Sequence, residues 1–127
     1  MISYRYADGF FDLIDEQSLL PECVSCRSTG SAVRVSPDGR FVISGSRGFD
    51  SAAVFAVSSD GKLERRQLFL TGGSSPREMN FLPGGKLFAI ANEFSAEVRF
   101  FTFDPGSGTL EPNGCRLELP RPLGIIF

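Results

Sequence analysis

A repeat of 46 residues constrains this chain more than any other feature of its sequence. Residues 36–47 (SPDGRFVISGSR) recur as residues 82–93 (LPGGKLFAIANE), and residues 53–57 recur at the same spacing as residues 99–103. Each copy consists of short apolar runs separated by turns rich in Pro and Gly. A period of this size, with four short strands per copy, is typical of a β-propeller blade. We therefore predict an all-β fold, a β-propeller fragment built from such blades.

Alternation and turn signals predict where the blades lie. We expect the outer strands of one blade at residues 1–18, complete four-stranded blades at 31–70 and 77–119, and the inner strand of a closing blade at 122–127. Propellers need roughly 4–8 blades to close. We expect the chain to be the C-terminal portion of a longer propeller. Alternatively, copies self-associate through unpaired blade edges, and the sequence does not separate the two.

The charge of the chain and the length of its apolar runs indicate which classes of partner to expect. The chain has 13 basic and 15 acidic residues, a net charge of −2, and its basic residues are scattered. A nucleic-acid partner requires a clustered positive surface, so none is expected. No run approaches the roughly 20 apolar residues of a membrane span, so we expect no membrane partner. We predict a cytoplasmic protein.

The chain contains no histidine. This excludes Ser-His-Asp and Cys-His catalysis within the chain, and also a His-ligated metal. A general base must then be a carboxylate, a lysine, a tyrosine or water.

Cys23 and Cys26 have the spacing of half a zinc site or of a redox pair. A structural zinc site needs two further ligands, of which only Cys115 remains. A redox pair normally begins a helix, whereas this stretch is predicted as a loop. We therefore expect incidental thiols, with no metal and no cofactor.

The blade topology predicts where polar side chains meet. Antiparallel strands reverse direction, so successive connections alternate between two faces of a blade. One face receives the compact turns at 37–39, 58–61, 83–85 and 104–108, and the other receives the polar loops at 47–51, 72–77 and 92–95. Any site is expected on the second face.

Arg47 and Arg77 are the leading candidates on that face. Both are expected at the mouth of the central channel, where two guanidinium groups would bind a carboxylate or phosphate through forked hydrogen bonds. Asn92 and Glu93 are candidate ligands for a polar substrate. The alternatives are that the arginines pair with neighbouring acids, such as Asp50, Glu78 or Glu93, and that Asn92 and Glu93 only cap a loop.

Residues 36–55, 71–81 and 85–93 resemble the lactonase family of seven-bladed propellers. This family includes bacterial 6-phosphogluconolactonases and relatives of the fungal carboxymuconate cyclases. The similarity runs from about Ile2 to Phe127. By position, Arg47 matches the family's arginine after the second strand of a blade, and Arg77 matches the arginine that follows Pro in the next inner strand.

The resemblance implies a lactone hydrolase of carbohydrate metabolism, here the pentose phosphate pathway. Its substrate would be a small anionic sugar lactone, with Arg47 and Arg77 as catalytic residues and Asp50, Asn92 and Glu93 as substrate-binding residues. Phe49 and Arg34 stand where many members of the family have His, which is a departure from the family's pattern. The alternatives are a non-catalytic propeller that serves as a binding scaffold and an inactive truncated fragment.

Overall fold

The computed structural model describes residues 1–127, and all of its regular secondary structure is β. Its ten strands are β1 (Ile2–Ala7), β2 (Phe10–Glu16), β3 (Thr29–Val35), β4 (Phe41–Arg47), β5 (Ser51–Val57), β6 (Leu63–Leu70), β7 (Pro76–Phe81), β8 (Leu87–Asn92), β9 (Glu97–Asp104) and β10 (Thr109–Glu118). The all-β class is confirmed.

The strands form three antiparallel sheets in which neighbours in sequence are neighbours in space. β1 pairs with β2, and the two four-stranded sheets have the orders β3-β4-β5-β6 and β7-β8-β9-β10. We call the four-stranded sheets blade 1 and blade 2. They correspond to the repeats predicted at 31–70 and 77–119. β3 and β7 are the innermost strands, and they contact each other across the two blades.

The sheets pack face to face, with an apolar layer on each side of a blade. In β4, Phe41 and Ile43 point into the cluster shared with blade 2, while Val42 between them joins the cluster on the β1-β2 side. In β8, Phe88 faces blade 1 and Ala89 faces away from it. Successive residues of a strand point to opposite faces, so both faces of these strands are buried and apolar.

Two side chains tie the outer strands of neighbouring sheets together. Gln67 of β6 donates to the carbonyl of Leu110 in β10 at 2.9 Å and accepts from the Leu110 N–H at 2.8 Å. Asp15 of β2 accepts the N–H of Leu63 in β6 at 2.9 Å. That hydrogen bond is the main cause of the lowered pKa of Asp15. Polar contacts thus add to the apolar layers in fixing how the sheets stack.

The expected strand at 122–127 is absent. Leu123–Phe127 has no backbone ladder with a neighbouring strand. Its contacts with blade 2 instead use side chains: Asn80 donates to the carbonyl of Ile125 at 3.2 Å, and Ile125 packs against the outward-facing cluster of blade 2. A strand needs a hydrogen-bonding partner along its edge, and none lies beside this segment.

None of the three cysteines forms a disulfide. Cys23, Cys26 and Cys115 are free and exposed.

No helix in this chain is long and apolar enough to cross a membrane.

Candidate functional site

Both inner strands contain a β-bulge at equivalent positions of the repeat. In β3 the register shifts between Gly30 and Val33, and in β7 it shifts between Pro76 and Glu78. The extra residue of a bulge re-aims the side chains beside it and is common next to functional sites. In this chain each bulge changes which side chains of its strand lie on the same face.

An open cavity of about 350 Å³ lies beside these bulges. It is lined by Gly30, Ser31, Arg47, Arg77, Glu78 and Leu123. Ser31, Arg77 and Leu123 are 46 residues apart and therefore occupy the same place in successive repeats. The cavity thus lies between β3, β7 and the segment that begins at Leu123, and both of the leading arginines line it.

Arg47 is the last residue of β4, and its guanidinium has no acidic partner. Its Nη2 donates to the carbonyl of Gly30 at 3.3 Å, while its buried Nε has no hydrogen-bond partner. Arg47 forms no ion pair with any carboxylate. Its positive charge is therefore available to an anion that enters the cavity.

Arg77, unlike Arg47, has an acidic partner, the carboxylate of Glu93, which it shares with Arg121. Glu93 lies at 3.8 Å from Arg77 and at 2.9 Å from Arg121, and its side chain is only 8% exposed. The side chain of Arg77 is half-exposed, so the longer contact contributes little and leaves its donors accessible. Glu93 attracts the guanidinium groups of both Arg77 and Arg121, so it can hold the side chain of Arg77 beside the cavity.

Residues 1–127 match the family described as "Lactonase, 7-bladed beta-propeller". The chain belongs to this lactonase family.

Individual relatives agree with this assignment. The chain is 32% identical to the 6-phosphogluconolactonase of Bacillus subtilis, over 99% of this chain and 36% of the relative. It matches the periplasmic gluconolactonase of Pseudomonas aeruginosa with a TM-score of 0.91 and 29% identity, over 95% of this chain and 34% of the other. A protein from Lactobacillus plantarum matches with a TM-score of 0.92 and 26% identity, over 97% of this chain and 37% of the other. The chain thus spans about a third of the length of these relatives.

Asp50 lies in the loop between β4 and β5, outside the cavity lining of this lactonase-family chain. Its carboxylate accepts the N–H groups of Ser75 at 2.9 Å and Gly48 at 3.3 Å, and its carbonyl accepts the N–H of Thr71 at 3.0 Å. Asp50 therefore joins its own loop to the connection between the blades. Direct contact between Asp50 and a substrate stays a prediction.

Asn92 is fully buried at the end of β8, and it also lies outside the cavity lining. Its Oδ1 accepts from the Thr71 hydroxyl at 3.0 Å, while its Nδ2 has no partner. A Cβ added at Gly73 would lie 2.5 Å from that Nδ2, so the Gly-rich connection fits closely over the amide. Asn92 supports this loop, and a role in binding substrate stays a prediction.

Three charged residues near the site were not among the sequence candidates. Glu78 lines the cavity, and Arg34 of β3 donates to its carboxylate at 2.6 Å across the blade interface. Arg121 pairs with Glu93. The sequence signal for Glu78 was weak, because only the bulge in β7 brings it to the same cavity as Arg77.

Proposed function

We propose that this chain supplies the anion-binding part of a lactone hydrolase whose substrate is a small anionic sugar lactone. The observation that carries the proposal is that Arg47, which has no acidic partner, lines one cavity together with Arg77. Membership of the lactonase family supports the reaction class, as do two relatives that are described as a 6-phosphogluconolactonase and a gluconolactonase.

The two arginines suit both stages of such a reaction. Before reaction, forked N–H donors bind a phosphate or carboxylate group on the sugar. When water attacks the ring carbonyl, negative charge develops on its oxygen, and donors fixed in place stabilise that oxyanion. One arginine would serve each group. Neither step requires a metal or a cofactor from this chain.

The chain spans 36% of the B. subtilis relative, so the remaining walls of a complete cleft would come from other blades. We propose that this chain belongs to a longer propeller and that the substrate lies between Arg47, Arg77 and those blades. The cytoplasm and the pentose phosphate pathway remain our proposed setting, although the Pseudomonas neighbour is described as periplasmic.

The test replaces each arginine by alanine in the protein that carries this chain. With 6-phosphogluconolactone as substrate, we expect Arg47→Ala and Arg77→Ala each to lower kcat/KM by about 10²–10³-fold, the range seen on removing one oxyanion donor. Unphosphorylated gluconolactone should lose less if one of the arginines binds the phosphate. Hydrolysis is followed by the acid released.

Arg66→Ala is the matched control, because Arg66 lies on β6, away from the cavity, and pairs only with Glu64 at the surface. Its kcat/KM should stay within about twofold of the unmodified protein, since exposed ion pairs contribute little. Unchanged hydrolysis in both Arg47→Ala and Arg77→Ala would refute the proposed site.

A second function, non-catalytic ligand binding, is favoured by the acids near the cavity. Glu78 and Glu93 are both paired with arginines, and the chain has no histidine. A binding propeller would take up an anionic sugar without turning it over. Calorimetric titration with 6-phosphogluconate, together with the absence of lactone hydrolysis, would identify this function.

A further inference from the structure

The bulge in β7 gives two consecutive residues access to the same cavity. In a regular strand, Arg77 and Glu78 would point to opposite faces. The register shift between Pro76 and Glu78 breaks that alternation, and both side chains line the cavity beside Arg47. An acid is thereby placed next to the two proposed anion-binding arginines.

The two carboxylate oxygens of Glu78 have different surroundings. Oε1 accepts from Nη2 of Arg34 at 2.6 Å and from the N–H of Met79 at 2.8 Å. Oε2 accepts no hydrogen bond within the protein, and it is not among the buried polar atoms that lack a partner. One oxygen is thus fixed by the protein while the other is open to solvent, and a carboxylate oxygen can accept a proton from water.

We propose that Glu78 is the proton acceptor that activates water for lactone hydrolysis, and that Arg34 is the positioning residue that holds it. This inference rests on the proposed function. Glu78 Oε2 takes a proton from a water molecule as the water oxygen bonds to the lactone carbonyl carbon. The carbonyl oxygen becomes the oxyanion, which one of the two guanidinium groups, that of Arg47 or that of Arg77, stabilises.

The second half of the reaction returns the proton. The tetrahedral intermediate collapses, the bond between the carbonyl carbon and the ring oxygen breaks, and the electron pair goes to the ring oxygen. Glu78, now a carboxylic acid, gives its proton to that oxygen. The sum is lactone plus water to hydroxy acid, and Glu78 ends as it began.

The other acids near the cavity are less suited to this role. Glu93 contacts Arg121 through one oxygen and Arg77 through the other. Asp50 binds loop N–H groups and lies outside the cavity lining. Glu78 is the one acidic residue in that lining, and with no histidine in the chain it is the strongest proton acceptor available there.

The test compares Glu78→Gln with the unmodified protein in steady-state lactone hydrolysis. Glutamine keeps the size of the side chain and an oxygen that can accept from Arg34 and Met79, but it is a far weaker proton acceptor. We expect kcat to fall by about 10²–10⁴-fold, the usual contribution of general acid–base catalysis. KM should change by less than about threefold, since Arg47 and Arg77 are intact. Glu78→Asp, which keeps the carboxylate but withdraws it, should lose less kcat than Glu78→Gln.

Arg34 is tested separately because it acts through Glu78. Arg34→Ala should lower kcat with little change in KM, and Arg34→Lys should restore part of the loss by keeping a donor for Oε1. Glu64→Gln is the matched control, since Glu64 forms a similar pair with Arg66 on the outer strand β6. Thermal unfolding of every variant verifies that it is folded.

The outcomes separate this inference from the function on which it rests. An active parent protein whose Glu78→Gln and Glu78→Asp variants both keep kcat within threefold overturns the role of Glu78 and leaves the lactonase proposal intact. A parent protein that hydrolyses no lactone overturns both. A large loss of kcat in Glu78→Gln, with KM and folding preserved, supports the inference.

Discussion

The carboxylate of Asp38 accepts three hydrogen bonds in the turn between β3 and β4. Its oxygens receive the Ser36 hydroxyl at 2.6 Å, the Arg40 N–H at 3.1 Å and the Arg40 Nε at 2.8 Å. The Ser36 hydrogen bond, followed by those from Arg40, lowers the pKa of Asp38 from 3.8 to about 2. These bonds favour the charged form, so protonation weakens the turn.

This pKa shift predicts how stability depends on pH. The pKa of Asp38 is lower in the folded state, so its contribution is present above about pH 3.8 and is lost as the pH falls towards about 2. We expect Asp38→Asn to lower Tm near neutral pH and to reduce the fall in Tm between pH 4 and pH 2. Thermal unfolding at pH 7, 4, 3 and 2 measures both effects.

Asp12→Asn is the control, because Asp12 is exposed on β2 and, although Arg5 lies opposite it on β1, forms no ion pair. Its Tm should follow that of the unmodified protein at each pH. If Asp38→Asn loses Tm at low pH as steeply as the unmodified protein does, the hydrogen bonds of Asp38 are not a source of the acid sensitivity.

At the scale of single residues, the sequence predicted at which end of a blade a side chain lies. It did not predict how deeply that side chain is buried. Counting antiparallel strands was enough to predict that Arg47 and Arg77 share a face, and they line one cavity. The same count placed Asn92 on that face, yet it lies fully buried under the Gly-rich connection. Strand direction determines the end of a blade at which a residue lies, whereas burial depends on how loops fold over it.

At the scale of elements, alternation and turn residues predicted the strands of both blades. They did not predict the bulges, because a register shift depends on the partner strand as well as on the strand itself. The missing strand at Leu123–Phe127 has a related cause, since an apolar run becomes a strand only beside a free edge. Arg77 and Glu78 therefore line the same cavity because of the bulge in β7. The alternation of residues within a single strand does not predict this bulge.

Alanine substitutions at two glycines in the turns of blade 2 distinguish the cost of backbone strain from the cost of disturbed packing. Gly84 has a φ of +90° with open space around it, whereas Gly108 has a φ of +76° and lies against the ring of Phe41 in blade 1. Alanine at either position costs about 1–2 kcal/mol for its left-handed backbone. At Gly108 the added methyl group also displaces a core aromatic ring, at a further cost of about 1–3 kcal/mol.

We therefore expect Gly108→Ala to be more destabilising than Gly84→Ala. Urea unfolding of the two variants gives the free energy of unfolding of each. The difference between them reports the contact between the turn of blade 2 and Phe41. Equal losses would mean that this contact does not limit the packing of the two blades.

At the scale of the whole molecule, the two blades share one apolar cluster. Blade 1 supplies Phe41, Ile43, Ala52 and Val54, and blade 2 supplies Met79, Phe88, Ile90, Phe101, Phe103 and Leu110. The two hydrogen bonds of Gln67 with Leu110 join the outer strands, and the pair of Arg34 with Glu78 joins the inner strands. Neither blade can therefore bury its inner face without the other.

This shared core predicts that blade 1 and blade 2 open together. Met79 is fully buried, and its Cε lies 2.5 Å from where a Cβ on Gly45 in blade 1 would be. Met79→Ala should lower the free energy of unfolding by about 2–5 kcal/mol. In a single cooperative unit, amide hydrogen exchange at Ile43 of blade 1 and at Ile90 of blade 2 should then accelerate by the same factor.

Leu70→Ala truncates an exposed apolar side chain and should change neither rate. Acceleration confined to blade 2 would show that the blades open independently, in which case the cavity between Arg47 and Arg77 would vary in width as they open.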